Sequence, residues 1–283
     1  MKAFLGMGLL GSNFVKALLK KGDSFQVWNR TESKAKELEA FGAKSFPKPA
    51  DAVKGAEMIH LALKDDASVD DVLNQALPGL STAAIIIDHT TTSKDGAIAR
   101  TKHWKEKGFV YQHAPVFMGP VNALESTGYM LVSGDQAIIE KIKPELKKMT
   151  GELVNFGAEV GKAAAMKLIG NSFLVCFTTS IGDSLTLANA LGVSSNDMSV
   201  LFSSWNPGLQ LQPRLKRIAD GNFESPSWTL EMARKDTGLF IEAAKKANMQ
   251  FTLLPSIANV MDEWIKKGRK ANDWMVITNQ LPK

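Results

Sequence analysis

Gly6-Met7-Gly8-Leu9-Leu10-Gly11 follows directly on the short apolar run Ala3 to Leu5 and opens an amphipathic stretch from Ser12 to Lys20. A strand must therefore end and a helix begin within one tight turn. In that context the three glycines play different parts. The first permits the turn, the second lets backbone amides approach a pyrophosphate, and the third lets helix and strand pack closely. The helix N-terminus then presents free N–H groups and the positive end of its dipole to the phosphates. A second apolar run, Phe25 to Trp28, returns at the spacing of a mononucleotide-binding half. The segment is expected to hold a dinucleotide through Gly6, Met7, Gly8, Leu9, Leu10 and Gly11.

The end of the second strand distinguishes the two nicotinamide dinucleotides. An Asp or Glu about 20 residues past the glycines would hold a free ribose 2′-hydroxyl. The chain reads Trp28-Asn29-Arg30-Thr31 instead. A guanidinium, an amide and a hydroxyl stand where a carboxylate would repel a 2′-phosphate, so Asn29, Arg30 and Thr31 point to NADP(H).

Beyond this unit the βα rhythm continues. Apolar runs at Met58 to Leu63, Ala84 to Ile87, Phe109 to Tyr111 and Tyr129 to Val132 alternate with amphipathic stretches such as Val69 to Gln75 and Ala97 to Lys107. That pattern predicts an α/β domain, a doubly wound and mostly parallel Rossmann sheet over residues 1–157. From residue 158 the strand punctuation disappears. A long apolar helix is expected over about 161–190 at the junction, followed by an all-α domain to residue 283, with helices at Trp228 to Ala247 and Ile257 to Lys267. A length of 283 residues accommodates two such domains.

Composition narrows the partners. The net charge of +5 comes from 34 Lys and Arg against 29 Asp and Glu, but the basic residues alternate with acids along helix-like segments. No basic block with interleaved aromatics forms, so nucleic acid is not an expected partner. The single cysteine, Cys176, excludes internal disulfides and cysteine metal sites, and no metal is expected. No signal-peptide cleavage site and no membrane span of the required length are read, so a cytoplasmic protein is expected.

Gly157-Ala158-Glu159-Val160-Gly161-Lys162-Ala163-Ala164-Ala165-Met166-Lys167-Leu168-Ile169-Gly170-Asn171 closely resembles the catalytic signature of the β-hydroxyacid dehydrogenases. The likeness extends along nearly the whole chain. That family includes 3-hydroxyisobutyrate dehydrogenases, glyoxylate and succinic semialdehyde reductases and, more distantly, 6-phosphogluconate dehydrogenase and the imine reductases. The resemblance implies a Rossmann domain, a long interdomain helix, a helical domain and assembly as a homodimer or homotetramer. It also implies a small carbonyl or hydroxyacid substrate and a general acid/base role for Lys167 with Asn171 beside it. The spacing agrees with this role: residues four apart share a helix face, and a lysine on an apolar face loses proton affinity through desolvation.

Two further segments gain meaning from the resemblance. Asp88-His89-Thr90-Thr91 is similar to the family's D-x-S-T segment, which implies Thr91 near the nicotinamide, and Leu63-Lys64-Asp65 is similar to the loop passing the cofactor's ribose. Arg234-Lys235-Asp236 resembles a K-D pair whose lysine, here Lys235, approaches the cofactor.

One loop departs. The family's D-A-P-V-S-G-G, whose Ser and Gly amides bind a substrate carboxylate, is replaced by His113-Ala114-Pro115-Val116-Phe117-Met118-Gly119. Val116, Phe117, Met118 and Gly119 are still expected at the substrate with Lys167 and Asn171, but the loop has lost a hydroxyl and gained bulk. His113 is expected to be a packing or surface histidine. The alternatives are an imine reductase-like activity and a non-catalytic NADPH-binding sensor or scaffold.

Overall fold

A computed structural model describes residues 1–279 of the chain. The chain divides into two units, Met1–Ser172 and Phe173–Lys283. The first opens with β1 (Lys2–Leu5), α1 (Leu9–Lys20), β2 (Phe25–Trp28), α2 (Glu32–Lys36), β3 (Lys44–Ser45), α3 (Pro49–Val53), β4 (Met58–Leu61), α4 (Asp66–Ala76), β5 (Ile85–Asp88), α5 (Lys94–Glu106) and β6 (Val110–His113). The strands form one parallel six-stranded sheet in the order β3-β2-β1-β4-β5-β6. The order reverses between β1 and β4, and crevices for ligands open at the carboxyl ends of strands at such a switch point.

The strand sequences explain why both faces are covered. Along β5, Ile85 and Ile87 enter one hydrophobic cluster with Phe4, Phe14 and Val27, while Ile86 enters the opposite one with Leu5, Ile59 and Trp104. Successive side chains of a strand point to opposite faces, so an unbroken apolar run belongs between two helical layers. Burying each of these large side chains stabilises the unit by about 1.5–3 kcal/mol.

The chain then leaves the main sheet. β7 (Val116–Phe117), α6 (Pro120–Glu125), β8 (Tyr129–Val132), α7 (Gln136–Lys147) and β9 (Glu152–Asn155) build a separate three-stranded sheet in the order β7-β8-β9. Only the β7–β8 pair in it is antiparallel. The single sheet expected over residues 1–157 is thus two sheets, because among the described residues β6 has β5 as its one strand partner.

α8 (Lys162–Ala190) is 29 residues long. Its turns up to Ser172 belong to the first unit and the rest to the second. By length and composition alone this helix could cross a membrane, which corrects the reading that no such span exists. Its first turns are nevertheless built into a protein core, with Ala163, Ala164 and Lys167 buried.

The second unit continues with α9 (Ser195–Ser204), α10 (Leu211–Asp220), α11 (Leu230–Lys246) and α12 (Leu254–Lys266). Its core gathers Phe223, Leu230, Ala233, Met261, Met275 and Val276. Asp183, buried in the middle of α8, accepts the backbone N–H groups of Thr252, Leu253 and Leu254 at 2.7, 2.9 and 3.1 Å. These donors lie at and just before the start of α12, so a carboxyl group inside an apolar helix serves as a cap for another helix. Large apolar side chains stay exposed on α8, α9 and α10 and between them, among them Phe173, Val200, Trp205 and Leu215.

Candidate active site

A cavity of about 610 Å³ lies at the switch point between β1 and β4 in the first unit. Gly6, Gly8, Leu9, Leu10 and Gly11 form one wall. Gly6 has φ +104°, and a Cβ there would sit 2.4 Å from the Ala62 carbonyl oxygen. A Cβ on Gly11 would sit 1.9 Å from the Gly6 carbonyl oxygen. Both positions therefore require glycine, one for backbone conformation and one for close helix–strand approach. A Cβ on Gly8, by contrast, would meet nothing within 4 Å. The missing side chain leaves the α1 N-terminus open to the cavity, and no side chain caps that helix. Free amides at an uncapped helix start suit a pyrophosphate.

Met7 is buried beneath this loop and stands off the cavity wall. Its backbone N–H donates to Asn29 Oδ1 at 2.9 Å, and Asn29 Nδ2 donates to the Thr31 carbonyl at 2.9 Å. Asn29 thus ties the glycine turn to the end of β2. Arg30 and Thr31 line the cavity with exposed side chains. Lys34, which the sequence pattern did not flag, joins them one turn into α2. Among the described residues no carboxylate borders this corner beside Arg30 and Lys34; Asp71, from α4, is the one acid on the cavity wall.

Leu63, Lys64 and Thr91 complete the predicted cofactor wall. Lys64 is exposed and 3.5 Å from Asp65. The Asp88-His89-Thr90-Thr91 loop is held from below. Asp88 accepts the Tyr111 hydroxyl at 2.6 Å and the Thr90 N–H at 2.9 Å, and Thr90 Oγ1 accepts the Leu63 N–H at 3.0 Å. Arg100, buried, donates to Tyr111 at 3.2 Å and to Asp66 at 2.5 Å. His113 Nε2–H donates to the Thr90 carbonyl at 2.8 Å, which makes it a buried packing histidine as expected.

His89 also lines the cavity and was not singled out by sequence. Its Nδ1–H donates to the Ala114 carbonyl at 2.9 Å, so its Nε2 accepts from His60 Nδ1–H at 3.0 Å. Burial pushes His89 down to about 4 and His60 well below the usual histidine range. Both rings are neutral near pH 7.

Lys167 lines the same cavity from α8, together with Val116 and Met118. Its ammonium donates to Asn171 Oδ1 at 2.9 Å and lies 4.1 Å from the centroid of the Phe117 ring. Burial lowers its pKa to about 8. Asn171 and Phe117 stand off the cavity wall and reach it through Lys167. Gly119 instead starts α6, where its N–H donates to Asn122 Oδ1 at 2.9 Å. Lys235 belongs to the second unit, on α11, and pairs with Asp236 at 2.8 Å.

Residues 2–157 match the family model described as the NAD binding domain of 6-phosphogluconate dehydrogenase. The 3-sulfolactaldehyde reductase of Escherichia coli (strain K12) is 28% identical over 285 residues, which span 99% of this chain and 95% of the relative. The chloroplastic glyoxylate/succinic semialdehyde reductase 2 of Arabidopsis thaliana is 32% identical over 196 residues, 68% of this chain and 54% of the relative. Among solved structures, an imine reductase from Myxococcus stipitatus in complex with NADP+ superposes with a TM-score of 0.89 at 22% identity, covering 100% of both chains. The structural likeness establishes a shared fold.

Proposed function

Because the chain belongs to the β-hydroxyacid dehydrogenase family and is an oxidoreductase that uses a nicotinamide cofactor, we propose that it is an NADPH-dependent reductase of a small carbonyl compound, with Lys167 as general acid. The observation that carries this reading is one lysine, buried by its own fold, on the wall of the cavity that the glycine turn opens. The domains divide the work, with residues 1–157 binding NADP(H) and residues 158–283 serving the substrate and dimerisation.

The cofactor's fit rests on the open Gly8 amides for its pyrophosphate and on Arg30 and Lys34 for a 2′-phosphate. Leu63, Lys64 and Thr91 border the remainder of the site. When bound, the reduced nicotinamide supplies a hydride for the substrate's carbonyl carbon. Lys167 gives its proton to the oxygen that becomes negative, and a pKa near the working pH suits both directions of that transfer. Asn171 holds the lysine in place, and the buried setting strengthens the field of the ammonium at the reacting oxygen. Val116 and Met118 shape the substrate side directly, with Phe117 behind Lys167 and Gly119 at the start of α6 supporting the loop.

A second reading, reduction of an imine, is favoured by the Phe117 ring, which stands where the family loop carries a hydroxyl. The exposed apolar side chains of α8, α9 and α10 support a homodimer or homotetramer that covers them, since monomers rarely expose so many. Coverage by a second copy also accounts for the apolar length of α8 without a membrane. The free thiol of Cys176 is exposed and fits a reducing cytoplasm.

The test is the initial rate of NADPH oxidation on small aldehydes, semialdehyde acids, 2-keto acids and cyclic imines, with NADH in parallel. Turnover on carbonyl compounds with NADPH preferred supports the proposal, and preference for cyclic imines supports the second reading. Tight NADPH binding with no turnover on any class would favour a sensor or scaffold.

A further inference from the structure

Phe117 touches Lys167 in a way that the altered loop sequence does not by itself disclose. Its ring centroid is 4.1 Å from Lys167 Nζ, within the range at which an aromatic face attracts an ammonium. The ring is seated on α8 at Gly170. A Cβ at that position would lie 2.3 Å from Phe117 Cζ and 2.8 Å from Cε1, so only glycine admits the ring there. Gly170 is three residues beyond Lys167, which places ring and ammonium on one helix face. The backbone of Phe117 is fixed as well, through its pairing with Tyr129 in the β7–β8 ladder.

The ammonium has three donors. One goes to Asn171 Oδ1 and one side is covered by the Phe117 face. What remains faces the cavity wall shared with Val116, Met118, Thr90 and Thr91. We propose that Phe117 is a positioning and specificity-determining residue, whose ring, seated on Gly170, leaves Lys167 a single donor toward the substrate and selects neutral carbonyl compounds with an apolar substituent over carboxylates. With Asn171 and the Phe117 ring taking two of its sides, the ammonium has one donor for the reacting oxygen and none left for a carboxylate, which would shed water beside the lysine without gaining a partner. An alkyl substituent needs no such donor.

This inference rests on Lys167 as the proton donor, and the two are tested separately. Lys167 is followed by NMR titration of reductively ¹³C-methylated protein, its signal assigned by disappearance in Lys167→Ala. The variants for titration are Phe117→Leu, which keeps bulk and removes the π face, Phe117→Tyr, which restores it, and Gly170→Ala, which displaces the ring. A fourth, Phe117→Ser, puts the hydroxyl of the family loop in place of the ring and is used for substrate preference. Each is checked for unchanged NADPH affinity as a measure of folding. Loss of the ring's attraction should move the Lys167 titration to lower pH by roughly half a unit or more in Phe117→Leu and Gly170→Ala, with Phe117→Tyr as wild type. The kcat/KM ratio for a neutral branched aldehyde over a semialdehyde acid of the same skeleton should fall about tenfold in Phe117→Ser, the loss that follows once the carboxylate regains a hydrogen-bond partner. An unmoved titration and an unchanged ratio, in protein where Lys167→Ala is inactive, would overturn the role of Phe117 and leave the proton donor standing. Full turnover by Lys167→Ala would overturn the proton donor itself, whatever the titration of the Phe117 variants.

Discussion

Lys167 Nζ donates to Asn171 Oδ1 at 2.9 Å across one turn of α8, and burial is what lowers the pKa of that lysine to about 8. If the ammonium is the proton donor in reduction, kcat/KM for the carbonyl substrate should fall as pH rises through about 8. Oxidation of the alcohol, which needs the neutral amine, should rise through the same pH. The stability linkage has the opposite appearance from an ion pair. The folded pKa lies below the unfolded value of 10.5, so the unfolded chain binds the extra proton between about 8 and 10.5. Burial of the ammonium therefore costs stability below pH 8, by about 3 kcal/mol, and the cost fades above it. Lys167→Met should be more stable than wild type at pH 7 in urea titrations, with the gap closing toward about pH 10. A constant gap would contradict the assignment.

Arg30 and Lys34 form the basic corner of the cavity. The double variant Arg30→Ser with Lys34→Ser should weaken NADPH by about tenfold to a hundredfold, as expected from the net loss of one charge-assisted contact at about 1.5–3 kcal/mol. NADH affinity should change less than about threefold, since it makes no contact to either cation through a 2′-phosphate. Calorimetric titration of both cofactors decides, and equal losses would remove the argument for a 2′-phosphate.

His89 and His60 carry a prediction about acid. Burial holds both pKa values down, His89 to about 4, against 6.5 in the unfolded chain. The unfolded state takes up protons first as pH falls below about 6.5, so stability declines from there. His89 alone accounts for about 3 kcal/mol by pH 4. His89→Gln, which keeps a donor for Ala114, should flatten unfolding free energy against pH by about 1.4 kcal/mol per pH unit between about 6 and 4.5. Parallel curves for variant and wild type would show that another group governs acid lability.

Asp183 caps the start of α12 from inside α8. Asp183→Ala leaves three backbone donors without their carboxylate and should destabilise the protein by about 2–4 kcal/mol, whereas Asp183→Asn keeps an acceptor and should cost about half as much. Thermal unfolding of the two variants side by side tests the ranking, and equal effects would mean that the hydrogen bonds contribute little.

The residues explain what could be read from sequence and what could not. Ile85-Ile86-Ile87 is legible as a central strand because three β-branched residues in a row need two apolar faces. The glycine turn is legible because each glycine answers a distinct steric demand. Pro49–Val53 passes unnoticed as a helix because five residues supply little more than one turn of periodicity. Val116–Phe117 passes as a loop because two residues carry no alternation, so the second sheet is invisible until its partners are placed. Lys34 reaches the cavity only because α2 begins right after Thr31, and its four-residue offset from Arg30 is the one signal that could have flagged it. Met7 has the opposite fate, since the turn that carries the glycines outward buries it. The seat of Phe117 on Gly170 joins residues 53 apart in sequence (170 − 117), beyond any local pattern.

Proton donation by Lys167 is tested by comparing wild type with Lys167→Ala on the best carbonyl substrate at pH 7, with the NADPH dissociation constant and kcat/KM taken on the same preparations. NADPH affinity should be unchanged and kcat/KM should fall by about 10²–10⁴, the span expected for a general acid. NADPH affinity and turnover both as in wild type would contradict the role assigned to this lysine.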